Sequence, residues 1–302
     1  MDASLSGAEF KKALRAGTTK LGLFVNSHSP TVAEQLAHSG YDWLLVDTQH
    51  GPMGNERLSG MLLGPMLTGA GSVQSGRFKG KMIVLASLMD QDALPWQADW
   101  YRTKVKDALG DRLDERFRLY FTENAIHADG DKIANPTHTV NYLGTLHQAI
   151  HDLSAWVEKG AVPPPSTQYR VVDGQIVVPS TAAERHGLQP VVHLSVNGGV
   201  RADVAAGAPC RFDAEAEMPP NTGTLVSMDW DFEGTGTFPD VHPVRPSQEN
   251  ASGTKVTLTA THAFAKPGTY FAIVRATSQR IGQTATPFGR IQNIARVRVV
   301  VQ

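Results

Sequence analysis

A run of three prolines at positions 163–165 divides this chain into two textures that do not belong to one kind of sheet. Proline lacks the amide donor that a central strand needs, so the run marks a break or a sheet edge. Before it, apolar segments alternate between strand-like and helix-like spacing. After it, no helical period survives. Short alternating runs follow one another between Gly, Pro and Asn turns: VVHLSVN, CRFDAEAE, LVSMDWDF, KVTLTATHAF, TYFAIVRATS and IARVRVVVQ. Six or seven such strands over about 110 residues predict an antiparallel sandwich of immunoglobulin-like type.

The residues ahead of the prolines predict two stretches of α/β character. Residues 1–60 read as a helix over 9–16, a strand over 21–26, a helix over 30–39 that Ser29 caps and Pro30 opens, and a strand over 43–47. Residues 81–160 read as the strand KMIVLASL, the helix LPWQADWYRTKVKDAL, the strand RFRLYFT and the long helix HTVNYLGTLHQAIHDLSAWVEKG. In the last helix Val140, Leu143, Leu146, Ile150, Leu153 and Val157 recur at spacings of three and four, which predicts that this face is buried. The expected fold class is α/β, an incomplete and mostly parallel sheet with helices, followed by the all-β sandwich. The expected divisions are 1–62, 63–160, a Pro-rich linker over 161–189, and 190–302.

Composition excludes some functions. The 302 residues carry 28 Lys plus Arg against 29 Asp plus Glu, a formal charge of −1, so no sustained field holds a nucleic acid. The longest apolar stretch, near Met82 to Met89, is far short of the roughly 20 residues of a membrane span. No apolar leader core opens the chain, which predicts a cytoplasmic location as written, or an extracellular one if a leader was lost. The one cysteine, Cys210, rules out an internal disulfide and reads as a small buried group on a strand.

Three groups of residues carry candidate chemistry. In the first stretch, G-x-F (Gly22, Phe24), S-P-x-x-A-E (Ser29 to Glu34), G-Y-D-W (Gly40 to Trp43) and D-x-x-H-G-P (Asp47 to Pro52) arrive in order. This series resembles the opening of the HpcH/HpaI metal-dependent aldolases, which make and break hydroxy-ketoacids around a pyruvate enolate. The resemblance implies His50 as general base and Asp47 as the acid shaping the site, both just after a strand as in a (β/α)₈ barrel. It also implies a divalent metal, Mg²⁺ or Mn²⁺. The resemblance stops after Met61 or Leu62. The metal-binding Glu and Asp and the carboxylate-binding strand arginine of that family have no counterparts; Arg77 lies near the expected distance for the arginine, but GSVQSGRFKG does not read as its strand.

From about Gly69 the strands KMIVLASL and RFRLYFT, followed by MDQDALP and ENAIHADGD, resemble the C-terminal portion of an α/β-hydrolase of the tannase and feruloyl esterase type. The resemblance implies Asp90, or alternatively Asp92, as triad acid and His127 as base. No G-x-S-x-G elbow occurs. The nearest string, GSVQSG, offers Ser72 and Ser75, but it lies in a Gly-rich connector ahead of the acid's strand. A His–Asp pair without an activated serine does not run acyl transfer, so little or no catalysis is expected. His147 and His151 have metal-compatible i, i+4 spacing without an H-E-x-x-H pattern. With His138 they read as surface histidines.

In the last stretch, MDWDFEGTGTFP and THAFAKPGTYF resemble the polycystic kidney disease (PKD) type of sandwich. Trp230, Asp231 and Phe232 stand in its first motif and Phe264, Pro267, Gly268 and Tyr270 in its second, with EGTG in place of GDG. Trp230 is expected to supply core bulk and Asp231 to bind turn amides. Asp229, Asp231 and Glu233 alternatively offer oxygen ligands for Ca²⁺. The resemblance implies a protein or polysaccharide ligand, and a half-complete sheet leaves an edge through which chains could associate. The function expected is that of a hydrolase-derived protein with a binding module. An aldolase or an active ester hydrolase is the alternative.

Overall fold

A computed structural model of the chain describes residues 7–25, 32, 36, 41–46, 75–127, 135–244, 254–280 and 285–302. Contacts divide the chain into two compact units, Met1–Ser75 and Gly76–Gln302. The first therefore runs past the expected limit at 62.

In the first unit, helix α1 (Gly7–Arg15) is followed by β1 (Gly22–Val25) and β2 (Trp43–Val46), paired in parallel with Gly22 opposite Trp43. The indole of Trp43 lies where a β-carbon at position 22 would be, so glycine is required there. Asp42 closes the strand entry: its carboxylate meets Lys20 Nζ at 2.7 Å and accepts from the Leu21 amide at 2.8 Å. That ammonium, and then that amide, hold the Asp42 carboxyl below its ordinary range. The helix expected over 30–39 falls mostly outside the described residues.

The second unit begins with β3 (Met82–Ser87) and β4 (Phe117–Thr122), parallel and in register from Met82/Phe117 to Ser87/Thr122. Helix α2 (Pro95–Leu109) joins them, with a 3₁₀ turn and the short α3 (Leu113–Arg116) leading into β4. Every residue of β4 is buried, because the strand is covered on both faces. Phe117, Leu119 and Phe121 pack with Val105 of α2, whereas Tyr120 packs with Ala149 of helix α4 (Leu143–Lys159), Leu188 and Ile291.

Two expectations fail here for identifiable reasons. Helix α4 starts at Leu143, five residues later than expected, where the Asn141 side chain accepts the Leu143 amide at 2.7 Å. Its buried face is set by Gly144, Thr145, Gln148, Ala149 and Trp156, while Ile150 and Val157 are 56% and 60% exposed. Close approach decides the rotation: a β-carbon at Gly144 would collide with the Arg290 carbonyl. The stretch 161–189 is packed against β4 instead of linking two bodies. Pro164 O accepts from Tyr120 Oη at 2.7 Å and from Arg118 Nε at 3.0 Å, and the Thr167 amide donates to Leu119 O at 2.9 Å. The prolines thus blunt a sheet edge. The same stretch forms the hairpin β5 (Arg170–Val172) and β6 (Gln175–Val177), and the short helix α5 (Ala182–Arg185) capped by Thr181.

The remaining strands form two sheets. β11 (Asp240–Pro243), β10 (Thr224–Asp231), β13 (Gly268–Gln279), β14 (Ile291–Val301) and β8 (Arg201–Val204) lie side by side, and β12 (Lys255–Ala263), β9 (Pro209–Glu217) and β7 (Val191–Val196) make the second sheet. Pairing is antiparallel except between β14 and β8. Alternate residues of both sheets, among them Phe212, Ala214, Trp230, Val256, Val274 and Val299, share one apolar core. At its end the Trp230 and Phe232 rings stack at 5.2 Å, and Phe232 stacks on His262 at 4.6 Å. No helix among the described residues is long and apolar enough to cross a membrane.

Cys210 lies in this core with no exposed surface, and burial pushes its thiol pKa up. Iodoacetamide is therefore expected to leave Cys210 unmodified in the native chain and to alkylate it fully in urea. Native labelling at the rate of a free thiol would contradict this packing.

Candidate acid–base site

β3 and β4 run in parallel and end level at Ser87 and Thr122, so the loops that follow leave from one end of the pair. The first loop folds back at once: Leu88 N donates to Thr122 O and Met89 N to Ala125 O, both at 2.9 Å. Asp90 then caps its own turn, its Oδ1 accepting from the amides of Asp92 at 2.9 Å and Ala93 at 2.8 Å. The second loop delivers His127, whose Nδ1 lies 3.1 and 3.0 Å from the two Asp90 oxygens. An ionised carboxylate only accepts, so the Nδ1 proton points at Asp90 and the basic lone pair resides on Nε2. The Asp90 side chain is nine-tenths buried and that of His127 is one-third exposed, so the carboxylate is fixed and the imidazole reaches the surface. The arrangement can orient an imidazole for proton transfer.

Asp92, the alternative acid, is exposed. Its oxygen lies within 4.8 Å of the ligand atoms of Asp90 and His127, the one grouping of three candidate metal ligands among the described residues. The donor set does not fit the divalent metal of the aldolase resemblance. Asp90 Oδ1 is already spent on two amides and the imidazole, and all three residues lie in the second unit whereas that resemblance lies in the first. Asp47, His50 and Ser72 lie outside the described residues. Ser75 belongs to the first unit, and Arg77 is exposed on irregular backbone ahead of β3.

The other candidates are engaged separately. Asp229 pairs with Arg275 at 3.0 Å, Asp231 accepts from the amides of Thr235 and Gly236, and Glu233 pairs with His262 at 3.0 Å. The three carboxylates do not converge on one point for a Ca²⁺ ion. His147 and His151 meet edge to face at 4.6 Å, and neither belongs to a group of three ligands among the described residues. His138 sits between Thr137 and Asn135, and desolvation and then Arg296 hold its pKa below the usual imidazole range.

Sequence reasoning missed the polar network behind the His127 loop. Glu123 takes Arg185 Nη1 at 2.6 Å, its amide donates to Gln189 Oε1 at 2.8 Å, and Asn293 Nδ2 reaches its carboxylate at 3.1 Å. Asn124 holds a positive φ of 56° and donates to Asn293 Oδ1 at 2.8 Å. Gln189 in turn donates to Gln292 O at 2.8 Å. These bonds tie the loop to β14 across about 170 residues of sequence, and no local spacing encodes that.

Residues 20–59 match the family described as HpcH/HpaI aldolase/citrate lyase. A hydroxypyruvate/pyruvate aldolase of Sagittula stellata is 53% identical over 45 residues, which are 15% of this chain and 18% of that protein. A 2-keto-3-deoxy-L-rhamnonate aldolase of Salmonella paratyphi B is 50% identical over 52 residues, 17% of this chain and 19% of that protein. The chain therefore spans less than a fifth of the curated relatives it matches. Among solved structures, a β-glucosidase of Listeria innocua overlaps 94% of this chain and 46% of its own at 10% identity with a TM-score of 0.20. At that score the overlap carries no argument.

Proposed function

We propose that the second unit is the distal portion of an esterase-type α/β-hydrolase joined to an immunoglobulin-like sandwich of PKD type, with Asp90 and His127 as the acid and base of its relay. The 3.0 Å contact between them at the level ends of two parallel strands carries this reading, since an α/β-hydrolase brings acid and base together in that way. Asp90 holds the Nδ1 proton, and Nε2 is the position from which a nucleophile's proton is taken. The chain's sequence supplies no G-x-S-x-G elbow, so the pair orients a base without a serine to activate. Sandwiches of this type bind proteins or polysaccharides, and that is the role assigned to the last 113 residues, 190–302.

The relay has a spectroscopic test. The Nδ1 proton of His127 is expected far downfield in the proton spectrum of the full chain and absent from Asp90→Ala. A fluorophosphonate is expected to label no serine, and aryl-ester hydrolysis to stay at the background of free imidazole. A downfield proton that persists in Asp90→Ala sinks the dyad. A trapped serine sinks the claim that the chain lacks its nucleophile.

The family match over 20–59 favours a second reading, in which the first unit performs aldolase chemistry with His50 as base and Asp47 beside it. Pyruvate release from a 4-hydroxy-2-ketoacid that requires Mg²⁺ or Mn²⁺ and disappears in His50→Ala would establish it. No metal-dependent pyruvate release would remove it.

A further inference from the structure

The outer face of the five-stranded sheet is only partly covered. Ile273 and Ile294 pack beneath Val140 and Phe238 in a buried cluster. Further along the same faces of β13 and β14 lie Phe271, Arg296 and Arg298, all exposed; Phe271 pairs directly with Arg298 and Ile273 with Arg296. Together with Arg185, Glu123 and His193 they line a cleft of about 650 Å³. That is the size range of small-molecule sites, about 300–1,000 Å³.

Its charge is unbalanced. Three arginines face one glutamate, and Arg185 is already satisfied by Glu123 at 2.6 Å. Asp203, the acid that borders Arg298, is held by Arg201 through contacts at 2.9 and 2.7 Å. Arg296 and Arg298 make no ion pair among the described residues. The apolar side of the cleft is equally unspent: Phe271 is 48% and Val200 77% exposed. Guanidinium forks match a planar carboxylate in two-point geometry, and a phenylalanine face beside them suits a flat or ring-shaped body.

We propose that this cleft binds a carboxylate carried on a ring-sized apolar body, with Arg296 and Arg298 on the carboxylate and Phe271 against the ring. The inference stands apart from the Asp90–His127 reading, since none of its residues belongs to that pair.

Calorimetric titration of the full chain with benzoate tests it, with benzyl alcohol and inorganic phosphate as the neutral and the ringless probes. Benzoate is expected to bind with Kd of about 1 mM, and each other probe about tenfold more weakly. Added salt should weaken benzoate because the arginines are exposed. Arg296→Ala with Arg298→Ala should weaken benzoate about tenfold, and Phe271→Ala about threefold to tenfold. Should the alanine pair melt early, Arg296→Lys with Arg298→Lys keeps the charge and removes the fork, and should also weaken benzoate. Phosphate binding as tightly as benzoate would reduce the site to a charged patch and overturn the proposal. So would benzoate affinity that neither arginine substitution nor Phe271→Ala changes.

Discussion

Replacing Trp230 by alanine is expected to lower the unfolding free energy of the second unit by about 3–5 kcal/mol, the range for removing a large aromatic from a packed core. Trp230 is 1% exposed and contacts both Phe232 and Phe212, with ring centroids at 5.2 and 6.3 Å. Its removal strips the ring stack of its inner member and opens a void that rigid β-strands on both sides cannot close. The neighbouring sheet loses partner atoms as well, since Phe212 belongs to β9 and Trp230 to β10. A stability of about 5–15 kcal/mol for a typical domain makes this a large fraction of the total. Urea unfolding of the full chain followed by circular dichroism measures it. A loss below about 1 kcal/mol would mean that the two sheets do not share this core.

Glu123→Ala is the second large effect, expected at about 2–3 kcal/mol. The cost does not come from the glutamate, whose side chain is 35% exposed, but from what it leaves behind. The Arg185 side chain is 9% exposed and keeps only the Pro179 carbonyl on its Nε, and Asn293 loses one acceptor. A charge buried without its counter-ion is far more expensive than an absent pair. Arg185→Met in the Glu123→Ala background should therefore recover some of the loss, because it removes the orphaned guanidinium. Additive losses in the double variant would show that Glu123 and Arg185 are independent. The same urea transition reads both variants.

The segments with a strong local signal were legible from sequence. β3, α2 and β4 were expected from the period of their apolar residues and from Pro95 at the helix start, and they lie within a residue or so of the expected positions. The meeting of Asp90 with His127 was approachable because two parallel strands in register place their following loops together. β8 and β11, each four residues long, escaped notice since so short a run carries no readable alternation. The face of α4 was misassigned because apolar spacing ranks Ile150 and Val157 above Ala149 and Gly144. Packing ranks them the other way when the neighbouring backbone comes too close for a side chain. The prolines of 163–165 signal an interruption equally well whether the chain leaves a domain or lies along its edge. Only the bonds from Tyr120, Arg118 and Leu119 decide between the two.

The parallel pairing of β8 with β14 has a mechanical consequence. Arg201 to Val204 lie against Arg298 to Val301, and both strands run in the same direction. Tension that draws β14 by its C-terminal end and β8 by its N-terminal end slides the two past each other. Their hydrogen bonds are then strained together and must break as a group. In an antiparallel hairpin pulled from its open end the bonds would instead break in succession. The joint between these two strands thus acts as a shear clamp, and it gives the sandwich resistance to stretching out of proportion to the four residue pairs that form it.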